Sequence, residues 1–147
     1  MAVTTTIYTY FPLNCMKKLV TDLADAGTTV KCALLTSAYT PSMDVHASYN
    51  DVSGNEVEGE GYTVAGVEIT SKSLSVDVAT ITFDAADASW AASTITARYA
   101  FIYDATPGGA TDKKAILLID FGEDKSTVAS TFQLVFNASG ILSATIG

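Results

Sequence analysis

The sequence predicts an all-β protein, an antiparallel β-sandwich or jelly roll of about eight strands with one short N-terminal helix. Threonine occurs 20 times beside abundant valine and isoleucine, and these β-branched side chains suit pleated strands better than helices. Hydrophobic residues make up 48% of the chain and charged residues 16%, which is typical of a packed core and not of disorder. Residues 93–104 alternate between two sets of side chains along their whole length, the pattern of a β-strand.

The length of 147 residues predicts a single domain, 1–147, because two separate cores would each be small for independent folding. Residues 1–12 are predicted to form an extended N-terminal arm or an edge strand, since threonine alternates there with Val3, Ile7 and Tyr8. Their aromatic side chains are available, on this prediction, to lie on a partner.

A short helix is predicted over residues 14–26, where apolar residues recur at helical spacing. Asn14 is a possible N-cap and Gly27 follows the expected end, so the start and stop signals agree with the periodicity. The apolar positions are Met16, Leu19, Val20 and Leu23.

After the helix the chain alternates strand patterns with turn-forming residues. In the clearest strand, 93–104, we expect one face to carry the odd-numbered positions from Ile95 to Tyr103, and Pro107 begins a flexible connection to the next strand. Strands are predicted over residues 29–37, 63–70, 74–83, 93–104, 115–122, 131–137 and 141–146.

The charge balance restricts the kinds of partner. The formal net charge of −8 repels nucleic-acid phosphates and anionic lipid, so neither a nucleic acid nor a membrane is predicted as a partner. Between Lys31 and Lys72 every charged side chain is acidic. The acidic loop 51–60 is interpreted as a solvated surface, with a cation site as the alternative.

No catalytic, cofactor-binding or metal-binding residues are assigned, and a non-enzymatic protein is expected. Cys15 and Cys32 are too few for a disulfide scaffold or a zinc site, so both are expected as reduced, partly buried thiols. His46 is the sole histidine, and the sequence does not pair it with a nucleophile. The N-terminus lacks the pattern of a secretory signal, which favours synthesis in the cytoplasm.

Arg98, the only arginine, lies inside the clearest strand, where its charge needs a partner. One interpretation is a salt bridge between strands to a carboxylate such as Asp120 or Glu68. The other is a contact with another subunit or protein, because arginine and aromatic residues are enriched at interfaces. The candidate interface residues are therefore Val3, Tyr8, Tyr10, Phe11 and Arg98.

Three segments, "EGEGYTVAGVEIT" (58–70), "WAASTITARYAFIYDATP" (90–107) and "ILLIDFGEDKSTVASTFQLVFNASGIL" (116–142), resemble a family of small virion structural proteins of tailed bacteriophages. Within that group the sequence is most similar to head decoration, or cement, proteins. The resemblance implies a small sandwich or jelly-roll protein bound to the outside of the capsid. The shared motifs are architectural, so the resemblance transfers no functional residues.

On this basis the expected function is capsid decoration: binding the outer surface of the assembled head, bridging subunits of the major capsid protein and self-associating as a dimer or trimer. A tail or fibre-base component is one alternative. A carbohydrate-binding module is another, with Trp90, Tyr99 and the loop 56–60 as its site. Deleting residues 1–11 is expected to leave a folded monomer that binds the shell more weakly.

Overall fold

The computed structural model describes residues 2–17, 22–106 and 113–145, and it is mostly β, as predicted. One α-helix, α1, lies within these described ranges, together with two short 3₁₀ turns at Tyr49–Asp51 and Ser53–Asn55. The strands and the helix are β1 (Thr4–Ile7), α1 (Tyr10–Met16), β2 (Val30–Leu35), β3 (Val67–Glu68), β4 (Ser73–Asp77), β5 (Thr80–Asp84), β6 (Ala88–Asp104), β7 (Lys114–Leu134) and β8 (Leu142–Thr145).

The strands form two antiparallel sheets. The larger has the order β1-β7-β6-β2-β3, and the smaller has the order β4-β5-β8. The long β6 and β7 are hydrogen-bonded neighbours at the centre of the larger sheet, so they carry most of its pairing.

Apolar side chains pack on both faces of the larger sheet. On one face, Ala100 and Ile102 of β6 belong to a cluster that includes Phe83 of β5, so the smaller sheet packs on this side. On the other face, Phe101 and Tyr103 belong to a second cluster, which is covered by Tyr8 and by side chains of the irregular segment 39–52. Burial on both faces explains the continuous apolar runs at the centre of the sheet.

The ribbon formed by β6 and β7 curls back on itself. The rings of Phe121 and Phe132, both in β7, have centroids 6.2 Å apart. An extended strand would separate residues eleven positions apart by roughly 36 Å. The two halves of the ribbon therefore contribute to one apolar cluster, which also contains Trp90.

A large bulge accompanies this curl. Ala97 pairs with Lys125 and Tyr99 pairs with Asp120, so residues 121–124 of β7 lie opposite a single residue of β6. Gly122 in this bulge has a φ of 78°, the left-handed conformation that glycine adopts without strain.

The bulge reverses which face each β6 residue occupies. Ile95 and Ala97 lie in the cluster beneath the smaller sheet, whereas Tyr99, Phe101 and Tyr103 lie in the opposite cluster. The prediction that all five share one face is therefore wrong. Within residues 93–104 a period of two holds on each side of Arg98 but not across it, because the register shifts there.

The helix lies earlier in the chain than the predicted 14–26. It spans Tyr10–Met16, with Pro12 in the first turn, where the missing N–H is not needed. Asn14 is buried within the helix and is not its N-cap. The predicted positions Leu19 and Val20 lie outside the described residues, while residues 22–28 form turns through backbone bonds such as Asp25 N–H to the Asp22 carbonyl.

The other predicted strands agree with the structure to different extents. The strand predicted over 29–37 is confirmed as β2. The segment 74–83 is a hairpin, β4 and β5, and 63–70 contains only the two residues of β3. The strand predicted at 115–122 and the first part of that predicted at 131–137 belong to one long strand, β7, which ends at Leu134. No helix in the described part of the chain combines the length and apolar character needed to cross a bilayer.

Candidate interaction surface

The N-terminal strand β1, Thr4–Ile7, lies at the edge of the larger sheet, whereas residues 10–12 of the predicted arm or edge strand belong to α1. Its residues pair with β7 in the register Thr4 to Asp120 through Ile7 to Leu117, and all four are exposed. Val3, which precedes the strand, is 60% exposed. This part of the N-terminal segment is therefore accessible to a partner.

Tyr8 does not belong to that surface. It is fully buried, its hydroxyl lies 2.8 Å from the hydroxyl of Tyr39, and its ring meets the ring of Phe101 edge to face at 5.5 Å. Burial, followed by the hydrogen bond to Tyr39, raises the pKa of Tyr8. The expectation of Tyr8 as a contact residue is therefore replaced by a core role.

Tyr10 and Phe11 lie in the first turn of α1, and both are half-buried. Phe11 packs against the apolar cluster beneath the smaller sheet. The N-terminal segment is thus divided: residues up to Ile7 lie on the surface, and those from Tyr8 to Phe11 attach it to the body.

Arg98 forms the predicted salt bridge with Asp120. Its Nε donates to Oδ1 at 2.7 Å and its terminal nitrogen to Oδ2 at 3.3 Å, a two-pronged contact across β6 and β7. Asp120 Oδ1 also accepts the Gly122 N–H at 2.7 Å. The hydrogen bond from Arg98 lowers the pKa of Asp120. The ion pair joins both strands beside the bulge.

An apolar cleft of about 660 Å³ lies between α1 and the smaller sheet. The face of the sheet that lines it follows from the strand register, because Ile81 pairs with Ala144 and Phe83 pairs with both Leu74 and Leu142. These residues alternate onto one face. The side chains on the cleft walls include Phe11, Pro12, Cys15, Met16, Leu74, Ile81 and Ala144.

The rim of this cleft exposes large apolar side chains. Met16 at the end of α1 is 83% exposed, and Val76, the cross-strand partner of Ile81, is 74% exposed. Val78, in the β4–β5 turn and outside the cleft lining, is 97% exposed. Clustered exposed apolar residues beside a cleft are typical of a protein–protein contact site. The alternation of Leu74, Val76 and Val78 is the one sequence signal that points to this surface.

The residues proposed for carbohydrate binding are not arranged as a sugar platform. Trp90 is only 2% exposed, and its ring stacks against Tyr62 with centroids 6.0 Å apart. Tyr99 is also buried, in the cluster on the opposite face. Glu56, in the proposed loop, accepts hydrogen bonds from the hydroxyls of Tyr49 and Tyr62. Aromatic rings in these positions cannot stack on a sugar.

Carboxylates of the acidic loop 51–60 have structural roles. Asp51 accepts the backbone N–H groups of Ala47 and Ser48 at 3.0 and 2.8 Å and so closes the 3₁₀ turn. Within residues 2–17, 22–106 and 113–145, no group of three or more His, Cys, Asp and Glu side chains is placed to hold a metal ion.

The two cysteines differ in environment. Cys15 is an exposed free thiol on α1, whereas Cys32 is a buried free thiol in β2 whose pKa burial raises to about 12. The Nδ1 of His46 forms a hydrogen bond with the Tyr39 hydroxyl, 2.7 Å away.

Comparisons of the chain with protein families, with curated proteins and with solved structures found no match.

Proposed function

We propose that this chain is a non-enzymatic decoration protein of a tailed-bacteriophage capsid. It is made in the host cytoplasm, binds the outer surface of the assembled head and stabilises it by bridging subunits of the major capsid protein. We also propose that the two sheets form a β-sandwich, the compact body that such a role needs. The observation that carries the proposal is the apolar cleft with its exposed rim of Met16 and Val76.

The apolar surface of the cleft supports binding to another protein. A hydrophobic contact contributes about 25 cal/mol for each Å² removed from water, and a standard protein interface buries on the order of 1,600 Å². The cleft and its two exposed rim residues supply the centre of such an interface, where anchoring residues contribute most of the binding energy. The rest of the contact surface supplies the polar residues that surround this centre.

Attachment at two subunits explains how a small protein stabilises a shell. Once one contact has formed, the second forms at a high effective concentration, so modest contacts combine into tight binding. A protein that binds the closed shell and not its separated subunits raises the free energy needed to open it. The resemblance of segments 58–70, 90–107 and 116–142 to head decoration proteins suggests this shell as the partner.

A charge argument favours the outer surface of the head. The chain carries a formal net charge of −8, which opposes contact with the packaged nucleic acid inside. Self-association of the chain is part of the proposal, because oligomers present several clefts to neighbouring shell subunits at once.

Thermal melting of filled capsids tests the proposal. Capsids lacking this protein are mixed with the wild-type chain, with Val76→Asp or with the matched control Val64→Asp. The two valines are 74% and 75% exposed. Val76 is the cross-strand partner of Ile81, which lines the cleft, whereas Val64 lies in a turn before β3, away from the cleft lining. Wild type and Val64→Asp are expected to raise the capsid melting temperature, and Val76→Asp is expected to lose the effect. Equal melting with and without the wild-type chain would overturn the proposal.

A further inference from the structure

The free edge of the four-residue strand β1 lacks the charged residues, prolines and bulges that keep many edge strands apart. Natural edge strands carry lysines, prolines or bulges that prevent pairing with another chain. The sequence of β1 is Thr-Thr-Thr-Ile, and residues 2–16 contain no charged side chain. Among the described strands, β1 pairs with β7 on one side and with none on the other.

The strand register shows which backbone groups point outward. Tyr8 N–H donates to the Ile116 carbonyl at 3.1 Å, continuing the pairing of Ile7 with Leu117. Hydrogen-bonded pairs alternate along an antiparallel ladder, so Thr6 and Thr4 also direct their backbone groups toward β7. Those of Thr5 and Ile7, and of Val3 just before the strand, therefore point away from the sheet.

We propose that β1 pairs antiparallel with β1 of a second copy of this chain, about a two-fold axis through Thr5. In this register Thr5 faces Thr5 of the partner subunit, and Val3 faces Ile7 of the partner subunit. Each facing pair of this kind exchanges two backbone hydrogen bonds. The larger sheets of the two subunits become one continuous sheet.

The side chains match in this register. The apolar Val3 and Ile7, 60% and 40% exposed in the single chain, cover each other on both sides of the axis. Threonine meets threonine at the centre and on the opposite face. The chain already uses such cross-strand hydroxyl pairs: Thr80 with Thr145 at 3.0 Å, and Thr96 with Ser126 at 2.8 Å.

Charge favours a second copy as the occupant of this edge. Two chains of net charge −8 repel each other, so a self-contact is most favourable where no charge lies. The charged strand β7 lies one strand away from the edge. In the dimer the two β7 strands are three strand spacings apart, roughly 14 Å. This exceeds the screening length of about 8 Å at physiological ionic strength.

The inference rests on the self-association part of the proposed function and not on capsid binding. It assigns the β1 edge to the partner copy and leaves the cleft, with its rim at Met16 and Val76, to the shell. The two contacts are therefore separable by substitution.

Thr5→Pro tests the pairing, because it removes an outward N–H and leaves the hydrogen bonds to β7 in place. The matched control is Thr5→Val, which keeps the N–H and suits a strand. By light scattering, wild type and Thr5→Val are expected at twice the monomer mass of 15.4 kDa, and Thr5→Pro at the monomer mass. A monomeric wild-type chain, or a Thr5→Pro variant that remains dimeric, would overturn the inference.

Cross-linking gives a second measurement that does not depend on the stability of Thr5→Pro. In a Cys15→Ser background, Thr5→Cys is expected to form a disulfide-linked dimer, since facing hydrogen-bonded residues have Cα atoms about 5.5 Å apart. Val128→Cys, at an exposed position elsewhere on β7, is the control and should stay monomeric on oxidation. Equal cross-linking of both variants would contradict the register. A dimer that fails to stabilise capsids would refute the proposed function alone.

Discussion

Replacing Tyr8 with alanine is expected to lower the free energy of unfolding by about 3–5 kcal/mol, the range found for aromatic residues deleted from packed cores. The structure supports the upper part of this range. The side chain is fully buried, its ring packs edge to face on Phe101, and its hydroxyl contacts that of Tyr39. Tyr8→Phe keeps the ring and removes one hydrogen bond, so it should cost about 1 kcal/mol.

Equilibrium unfolding in urea, followed by the fluorescence of the buried Trp90, measures both effects. Tyr10→Ala is the control, because Tyr10 is only half-buried and lies two residues along the same segment. Tyr10→Ala should lower the free energy of unfolding by clearly less than Tyr8→Ala does. A loss of less than about 1 kcal/mol for Tyr8→Ala would refute the core role assigned to this residue.

The same reasoning changes the expected result of deleting the N-terminal segment. Removing residues 2–6 takes away exposed positions and should leave a folded chain. Removing residues 2–11 also takes Tyr8 and Phe11 out of the two clusters. Since small domains are stable by only about 5–15 kcal/mol, that deletion is expected to unfold the protein and not to leave the folded monomer expected from the sequence.

Three further predictions concern stability. Gly66→Ala should lower the free energy of unfolding in urea by more than about 1 kcal/mol. The reason is that Gly66 has a φ of +76° and an added Cβ would lie 2.0 Å from the Cys32 carbonyl oxygen. Gly54→Ala is the control, because the space around Gly54 is open. The free energy of unfolding should fall as the pH rises above about 10, because the buried tyrosines of the folded state keep protons that the unfolded chain loses. The fall should be roughly 1.4 kcal/mol per pH unit for each buried tyrosine. A melting temperature that is unchanged between pH 9 and 11 would contradict this prediction. Burial raises the pKa of Tyr8, Tyr49, Tyr62 and Tyr103. In acid the sign is opposite: the hydrogen bond from Arg98 lowers the pKa of Asp120, so its contribution is present above about pH 4 and is lost as the pH falls. Asp120→Asn should flatten this part of the stability profile, and an unchanged acid profile would contradict the role of the ion pair.

The central strands were predictable because their signal is local. The apolar run within 29–37 identifies β2 without knowledge of its neighbours, since a strand covered on both faces needs apolar residues throughout. The ion pair of Arg98 with Asp120 was also accessible from sequence, because a charge inside a strand requires a partner on the next one.

The reversal of faces at Arg98 was not predictable from β6 itself. The extra residues, 121–124, lie on the neighbouring strand, so the alternation along β6 continues in sequence while the register changes in space. Gly122 is the one local signal of the bulge.

The helix was displaced for a related reason. Apolar spacing at 16–23 resembles a helical face, but the described helix is Tyr10–Met16, where Pro12 suits the first turn. The cleft was missed because α1, the β4–β5 hairpin and β8 are distant from one another in sequence, and periodicity within any one of them does not reveal that their apolar faces meet.

Imaging purified virions of the tailed phage to which the proposed function assigns this chain tests the central claim most directly. The account predicts many copies at regular positions on the outer face of the head, with α1 and the β4–β5 turn against the capsid subunits. Absence of the chain from the heads, or its presence in only a few copies on the tail, would contradict it.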